Sequence, residues 1–280
     1  MEPTRLACVR YLNTAPLIEG LEKVEGLTLT PAVPSVICDM VRRGDADLGL
    51  CSVVDAAATD GDLVIVPAGM IGCDGPTLTV RVFSSVPFER VTTLHADTDS
   101  HTSVALAQVI LAERFGVRAR VVGFDARERM PVAGPAAGAT VEDSWPETVL
   151  LIGDKVVTDR PPESRYPHQL DLGEAWKELT GLPFVYAVWM CRGSEADSQR
   201  VRTAAALLDR QRRRNVQRLD WVVAKRAGDA RWPADAAARY LGELLRFEVG
   251  AQERAAIGMF LEKAAGLGLV EKRQAAFAPF

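Results

Sequence analysis

The chain has 280 residues, long for one compact core and comfortable for two lobes of ordinary domain size. Hydrophobic residues make up 48% and charged residues 25%, which excludes a disordered chain. The formal net charge of −4 leaves no whole-molecule basic field to gather nucleic acid or anionic lipid.

The chain opens with polar residues that run into a short apolar stretch, Met1 to Arg10, without the apolar core and cleavage site of a secretory signal. No stretch reaches the roughly 18 consecutive apolar residues of a membrane span. Cys8, Cys38, Cys51, Cys73 and Cys191 are odd in number and widely spaced. That pattern fits reduced, buried thiols rather than a disulfide framework or a zinc site. Together these features predict a cytoplasmic protein.

The first lobe begins with strand signals at Leu6–Val9, followed by a short helix over Thr14–Leu21 with Pro16 in its first turn. A strand over Leu27–Val33 leads through Pro34-Ser35 into an amphipathic helix, Val36–Arg43, that ends at Gly44. Leu48–Cys51 and Val64–Pro67 read as two further strands, and Gly69–Pro76 as a glycine-rich turn. Thr77–Phe83 reads as a strand leading out of the lobe. Such alternation implies a parallel sheet covered on both faces.

A second unit starts near Val91. Its strands are Thr93–Ala96, Arg118–Val122, Thr148–Ile152 and Leu170–Leu172; its helices are Val104–Phe115 and Gly173–Thr180. Ala133–Thr140 and Asp159–Arg165 read as loops. A long apolar strand, Phe184–Cys191, then gives way to helical spacing over Ser194–Arg214, Ala234–Leu245 and Glu253–Ala265. The pattern predicts an α/β protein of two lobes, residues 1–86 with 187–280 and residues 87–186, joined by two crossovers and ending in a helical tail. A hinge between two sheets places a ligand between their strand ends.

Three polar turns follow strands and open helices: Leu12-Asn13-Thr14, Val33-Pro34-Ser35 and Ser100-His101-Thr102-Ser103. Each alone is explained by helix capping. Three in two lobes, with free N–H groups and helix dipoles, favour a shared site for a small anion. Asn13 can cap its helix or present an amide to a ligand oxygen, and Tyr11 can pack in the core or wall a flat ring. Asp74, Thr77 and Thr79 are candidates to face the cleft, and Gly153-Asp154 marks either a turn or a ligand contact.

No dinucleotide fingerprint, P-loop or nucleophile elbow is present, and the three histidines do not cluster at metal-ligand spacing. The expectation is therefore no cofactor and no metal. Arg210–Arg214 is the one basic run, read as a solvated helix face balanced by Glu195, Asp197 and Asp209 rather than a nucleic-acid arm.

Several segments together resemble one family. Val9-Arg10-Tyr11-Leu12-Asn13-Thr14-Ala15-Pro16-Leu17 is similar to the opening of the menaquinone-pathway chorismate dehydratases. Gly44–Leu50, Gly72–Pro76, Ser100–Leu106, Leu150–Lys155, Asp171–Lys177 and Thr180–Trp189 follow in the same order, so the likeness spans roughly Arg5 to Trp189. The resemblance implies a periplasmic-binding-protein-like fold of the type II arrangement working in the cytoplasm. It implies a lyase that removes water from chorismate to give 3-[(1-carboxyvinyl)oxy]benzoate on the futalosine route to menaquinone, without membrane or nucleic-acid partners.

On this resemblance Asn13 is the catalytic candidate. Tyr11, Thr14, Ser35, Asp74, Thr77, Thr79, His101, Thr102, Ser103, Gly153 and Asp154 are the substrate-binding ones. His101 stands where the family pattern implies Arg. Because the product ring is aromatic, the protein must orient a dianion more than supply a powerful catalyst, and the substrate's own carboxylate is a candidate base. The sister enzyme making 1,4-dihydroxy-6-naphthoate opens differently, with Ser-Pro-Cys-Pro-Asn-Asp, and is the nearest rival. A non-catalytic small-anion binder is the other.

Overall fold

Short apolar runs divided by polar turns become strands early in the chain. In the computed structural model, which describes residues 2–58, 62–125, 130–131 and 145–280, these are β1 (Thr4–Cys8), β2 (Leu27–Pro31), β3 (Leu48–Ser52), β4 (Leu63–Cys73) and β5 (Val80–Ser84). The first helices are α1 (Ala15–Ile18) and α2 (Pro34–Arg43). Next come β6 (Thr93–Asp97), α3 (His101–Phe115), β7 (Arg120–Asp125) and β8 (Met130–Pro131). They are followed by β9 (Thr148–Ile152), α4 (Lys155–Thr158), β10 (His168–Asp171) and α5 (Leu172–Thr180). The last part holds β11 (Phe184–Arg192), α6 (Gln199–Val216), α7 (Leu219–Arg226), α8 (Ala234–Arg239), β12 (Leu245–Arg246) and α9 (Ala251–Gly266). The loop expected over Ala133–Thr140 lies outside the described residues.

The strands form two six-stranded sheets, ordered β12-β4-β11-β3-β1-β2 and β10-β5-β9-β6-β7-β8. Both are mixed, not purely parallel as the alternation implied. β1 pairs in parallel with β2 and β3, but β11 runs antiparallel between β3 and β4. In the second sheet β6 is parallel to β7 and β9, while β5 is antiparallel to β9 and β10. The returning strands β5 and β11 cause this, because each enters a sheet from the opposite lobe. The chain changes sheet between Cys73 and Val80, earlier than the expected 84–87, and returns between Asp171 and Phe184.

The glycine-rich stretch is the clearest correction. β4 continues through Gly69 and Gly72 to Cys73, so most of the expected turn is strand. Met190 faces Ile65 and Val188 faces Met70, so residues 66 to 69 bulge, and that bulge accommodates Pro67. At Gly72 a Cβ would sit 2.6 Å from the Phe184 carbonyl oxygen. There glycine serves close strand approach rather than a turn.

One apolar core lies between α2, α3, α5, α9 and both sheets, with Trp176, Phe184 and Phe260 in edge contact at its centre. A second packs the other face of the first sheet against α6, α7 and α8. The basic run of α6 is not wholly solvated. Arg212 is buried on Asp209 at 2.6 Å, and Gln211 and Asn215 point inward. These two amides hold the end of α1: Gln211 donates to the Glu19 carbonyl at 2.7 Å, and Asn215 to Glu19 at 2.9 Å and Pro16 at 3.2 Å. The C-terminal helices thereby fix the Tyr11–Pro16 turn, which follows β1.

Candidate functional site between the sheets

A narrow cavity of about 70 Å³ lies between the two sheets at the ends of their strands. The first sheet and its turns give it Val9, Tyr11, Asn13, Pro34, Ser52 and Ile71; the second lobe gives Ser100, Ser103, Ile152 and Gly153. Thr77, Thr79 and Val80 enter from the first crossing, Tyr186 and Ala187 from β11, and Tyr240 and Leu245 from the C-terminal segment. A larger groove of about 860 Å³ opens on the far side of Tyr11, past Leu12, Asp154, Lys155 and Arg231.

Of the residues singled out in the sequence, Asn13, Tyr11, Thr77, Thr79, Ser103 and Gly153 meet at the cavity. Asn13 has a buried Oδ1 with no hydrogen-bond partner in the protein. An acceptor left so costs about 1–3 kcal/mol unless a ligand or water pairs with it. The Tyr11 hydroxyl donates to Asp99 at 3.1 Å across the lobes. Lys155 holds that aspartate at 3.0 Å and Asp97 at 2.5 Å. Burial raises the Asp97 carboxyl above its ordinary value, with Lys155 opposing.

Hydroxyl pairs floor the cavity. Thr77 Oγ1 lies 2.7 Å from the Tyr186 hydroxyl and donates to Cys73 Sγ at 3.0 Å. Burial pushes the Cys73 thiol up to about 11, so it stays protonated near neutral pH. Thr79 Oγ1 lies 2.6 Å from the Tyr240 hydroxyl. Burial raises both phenols further above their ordinary values. Neither Tyr186, although it falls in the family-like segment Thr180–Trp189, nor Tyr240 is among the site residues expected from the sequence, since nothing local ties positions so far along the chain to Thr77 or Thr79.

The other candidates sit elsewhere. Thr14 is fully buried and donates to the Val9 and Tyr11 carbonyls, which shapes the turn. Asp154 borders the outer groove, accepting from Trp232 Nε1 at 3.0 Å and the Leu12 amide at 3.4 Å, and burial raises its carboxyl. Asp74 is exposed and paired with Lys177 at 2.5 Å. Ser35 is half-buried in the first turn of α2 beside the cavity residue Pro34. Thr102 is buried, and its hydroxyl accepts from the Val54 amide at 3.3 Å.

His101 opens α3, capped by Ser100, which accepts from the Ser103 amide at 3.1 Å. The helix thus starts three residues before the Val104 expected from the sequence. The His101 imidazole meets Asp55 at 3.0 Å instead of lining the cavity. This hydrogen bond raises its pKa above the ordinary imidazole value, against the opposing effect of burial.

The site therefore joins two helix N-termini, of α2 at Pro34 and of α3 at Ser100 and Ser103, to an amide and two threonine–tyrosine pairs. Helix ends of this kind attract carboxylates, and the hydroxyls and amide suit ligand oxygens.

Comparison with known proteins bears on the family and the fold. The model of a family described as menaquinone biosynthesis matches residues 4–266. The chorismate dehydratase of Thermus thermophilus is 29% identical over 206 residues, 69% of this chain and 71% of that protein. A solved structure from Archaeoglobus fulgidus is similar with a TM-score of 0.67 at 15% identity, covering 95% of this chain and 98% of its own. The alkanesulfonate-binding protein from Xanthomonas axonopodis pv. citri gives 0.66 at 16% identity, covering 100% and 98%. The periplasmic aliphatic sulphonate binding protein of Escherichia coli gives 0.62 at 14% identity, covering 98% and 95%. At such identities the structural likeness speaks for the fold alone, which is that of the periplasmic binding proteins. With the family match running over nearly its whole length, the chain belongs to the menaquinone-biosynthesis family.

Proposed function

We propose that this protein is a chorismate dehydratase, a hydro-lyase that converts chorismate to 3-[(1-carboxyvinyl)oxy]benzoate in the cytoplasm. The observation that carries the reading is the unpaired Asn13 Oδ1, buried at a hydroxyl-lined cavity between two lobes. The Thermus relative supports it.

A cavity of about 70 Å³ holds a water or two rather than a ring-bearing dianion, so the lobes part to admit substrate. Once bound, the N-termini of α2 and α3 face its two carboxylates, one from each lobe. Asn13 accepts from the ring hydroxyl that leaves. The substrate's own side-chain carboxylate removes the neighbouring ring proton, and the C–H electrons become the new ring double bond as the C–O bond breaks. The carboxylic acid returns that proton to the departing hydroxyl, which leaves as water; the protein's part is to hold the carboxylate against the ring. The water-poor, hydroxyl-lined floor stabilises charge on the departing oxygen.

The rival reading of a non-catalytic small-anion binder draws on the fold shared with sulfonate-binding proteins. Purified protein incubated with chorismate and followed by ultraviolet absorbance and product mass separates the two. The dehydratase reading predicts a product lighter by one water. Chorismate recovered unchanged, with a thermal shift on its addition, would establish the binder instead.

A further inference from the structure

Tyr240 joins the cavity from a part of the chain that no sequence motif tied to the site. It begins a π-helical turn, Tyr240–Leu244, between α8 and β12. Single π turns are costly and recur at functional sites. Its ring stacks on Trp232 at 4.9 Å and 17°. Trp232 in turn donates to Asp154, which holds the Leu12 amide beside Asn13. The Tyr240 side chain is thus locked against the same turn that carries Asn13.

The hydrogens around its hydroxyl can be assigned by accounting. Tyr240 is buried, and Thr79 Oγ1 is the hydrogen-bond partner of its hydroxyl among the described residues. Asn13 Oδ1, at the same cavity, has no hydrogen-bond partner in the protein. If Tyr240 accepted from Thr79, its own hydrogen would be buried with nothing to bond. So Tyr240 donates to Thr79 Oγ1, 2.6 Å away, and the Thr79 hydrogen is turned out toward the cavity that Thr79 lines.

We infer that Tyr240 is a positioning residue: it fixes the direction of the Tyr240–Thr79 hydrogen bond so that the cavity presents an acceptor, Asn13 Oδ1, together with a donor, the Thr79 hydroxyl. That pair recognises a group that both donates and accepts, an alcohol. An ammonium can satisfy Asn13 but has no lone pair for Thr79. The inference deepens the dehydratase reading and rests on it only for the identity of the alcohol, the ring hydroxyl of chorismate. No proton leaves Tyr240; Thr79 hydrogen-bonds the departing oxygen and keeps its own hydrogen.

The test compares the full-length wild type with Tyr240→Phe, which keeps the ring stacked on Trp232. The probes are chorismate, 4-amino-4-deoxychorismate and the benzoate product. Affinity for chorismate is read from half-saturation in single-turnover mixing, or by calorimetry if no turnover occurs. The wild type should prefer the alcohol over the amine by about tenfold or more. In Tyr240→Phe that preference should vanish and the single-turnover rate fall about 10- to 100-fold, with product affinity within about threefold. Thr79→Val should give the same losses, and the double variant no further loss. It also supplies the test if Tyr240→Phe fails to fold.

An unchanged preference and rate in both variants would overturn the inference. So would an equal loss of affinity for all three probes, which marks a purely structural role. If the wild type prefers the alcohol without turning it over and the variants lose that preference, the dehydratase reading falls while the role of Tyr240 stands. If it turns chorismate over with no alcohol preference, the reverse holds.

Discussion

Asp171 and Thr77 are 94 residues apart in sequence, yet one Asp171 oxygen accepts from the Thr77 amide at 2.9 Å while the other accepts from the Leu78 amide at 2.7 Å. The same carboxylate caps α5 through the Gly173 and Glu174 amides. It thus ties the return crossing to the outgoing one at the edge of the cavity. Leu78 has φ +71, a left-handed conformation that costs a branched residue about 1–3 kcal/mol, and the clamp offsets that strain.

Asp171→Ala should therefore lose about 3–5 kcal/mol of stability, from the lost cap and the buried amides left unpaired. Asp171→Asn keeps one acceptor oxygen and should lose roughly half as much. Denaturant midpoints measure both, and a loss under about 1 kcal/mol for Asp171→Ala would remove the clamp from the account.

Gly173 sits where no side chain fits. A Cβ there would lie 2.1 Å from Thr77 Oγ1, 2.5 Å from Cys73 Sγ and 2.6 Å from the Gly75 carbonyl oxygen. Gly173→Ala has to push Thr77 off its place beneath the cavity. The expected result is a loss of about 1–3 kcal/mol together with a lower kcat. A variant of unchanged stability and turnover would show that the crossing yields freely.

The His101–Asp55 contact joins the start of α3 to the turn after β3, between the two lobes. Asp55 and, more weakly, Asp39 favour the imidazolium, while Arg42 and burial oppose it; the balance raises the pKa. A histidine whose folded pKa exceeds its unfolded value, about 6.5, contributes stability that is fully present below that value. The contribution is lost as pH rises through the folded value. The Tm difference between wild type and His101→Gln should thus be largest in mild acid and shrink toward alkaline pH. A difference that stays flat or grows with pH would contradict this pairing.

Much of the site was legible because its chemistry is local. The Asn13 turn follows a short apolar strand and precedes Pro16, and both features mark a strand-to-helix junction at one glance. Thr77 and Thr79 read as residues that could face the cleft, but on a strand ahead of a crossing expected at 84–87, whereas they lie in the crossing itself. The illegible part is held by distance. Tyr186 and Tyr240 look like ordinary core aromatics until β11 and the C-terminal segment fold back over residues 77 to 79.

The glycines of β4 misled because glycine suits both a turn and a strand approached closely by its neighbour, and only the β11 pairing decides. α7 was missed because its buried residues, Val222 and Val223, are adjacent rather than spaced at helical period. His101 could be assigned a carboxylate from the family pattern, but the carboxylate it meets in the fold is Asp55.

The central claim is that Asn13, through its unpaired Oδ1, acts on the departing oxygen of chorismate. The most direct measurement is the single-turnover rate of water loss from chorismate by wild type and by Asn13→Ala, read by product mass and ultraviolet absorbance. The account predicts a fall of about 100-fold or more in the variant, with the benzoate product still bound at near wild-type affinity. Equal rates in the two proteins would contradict it.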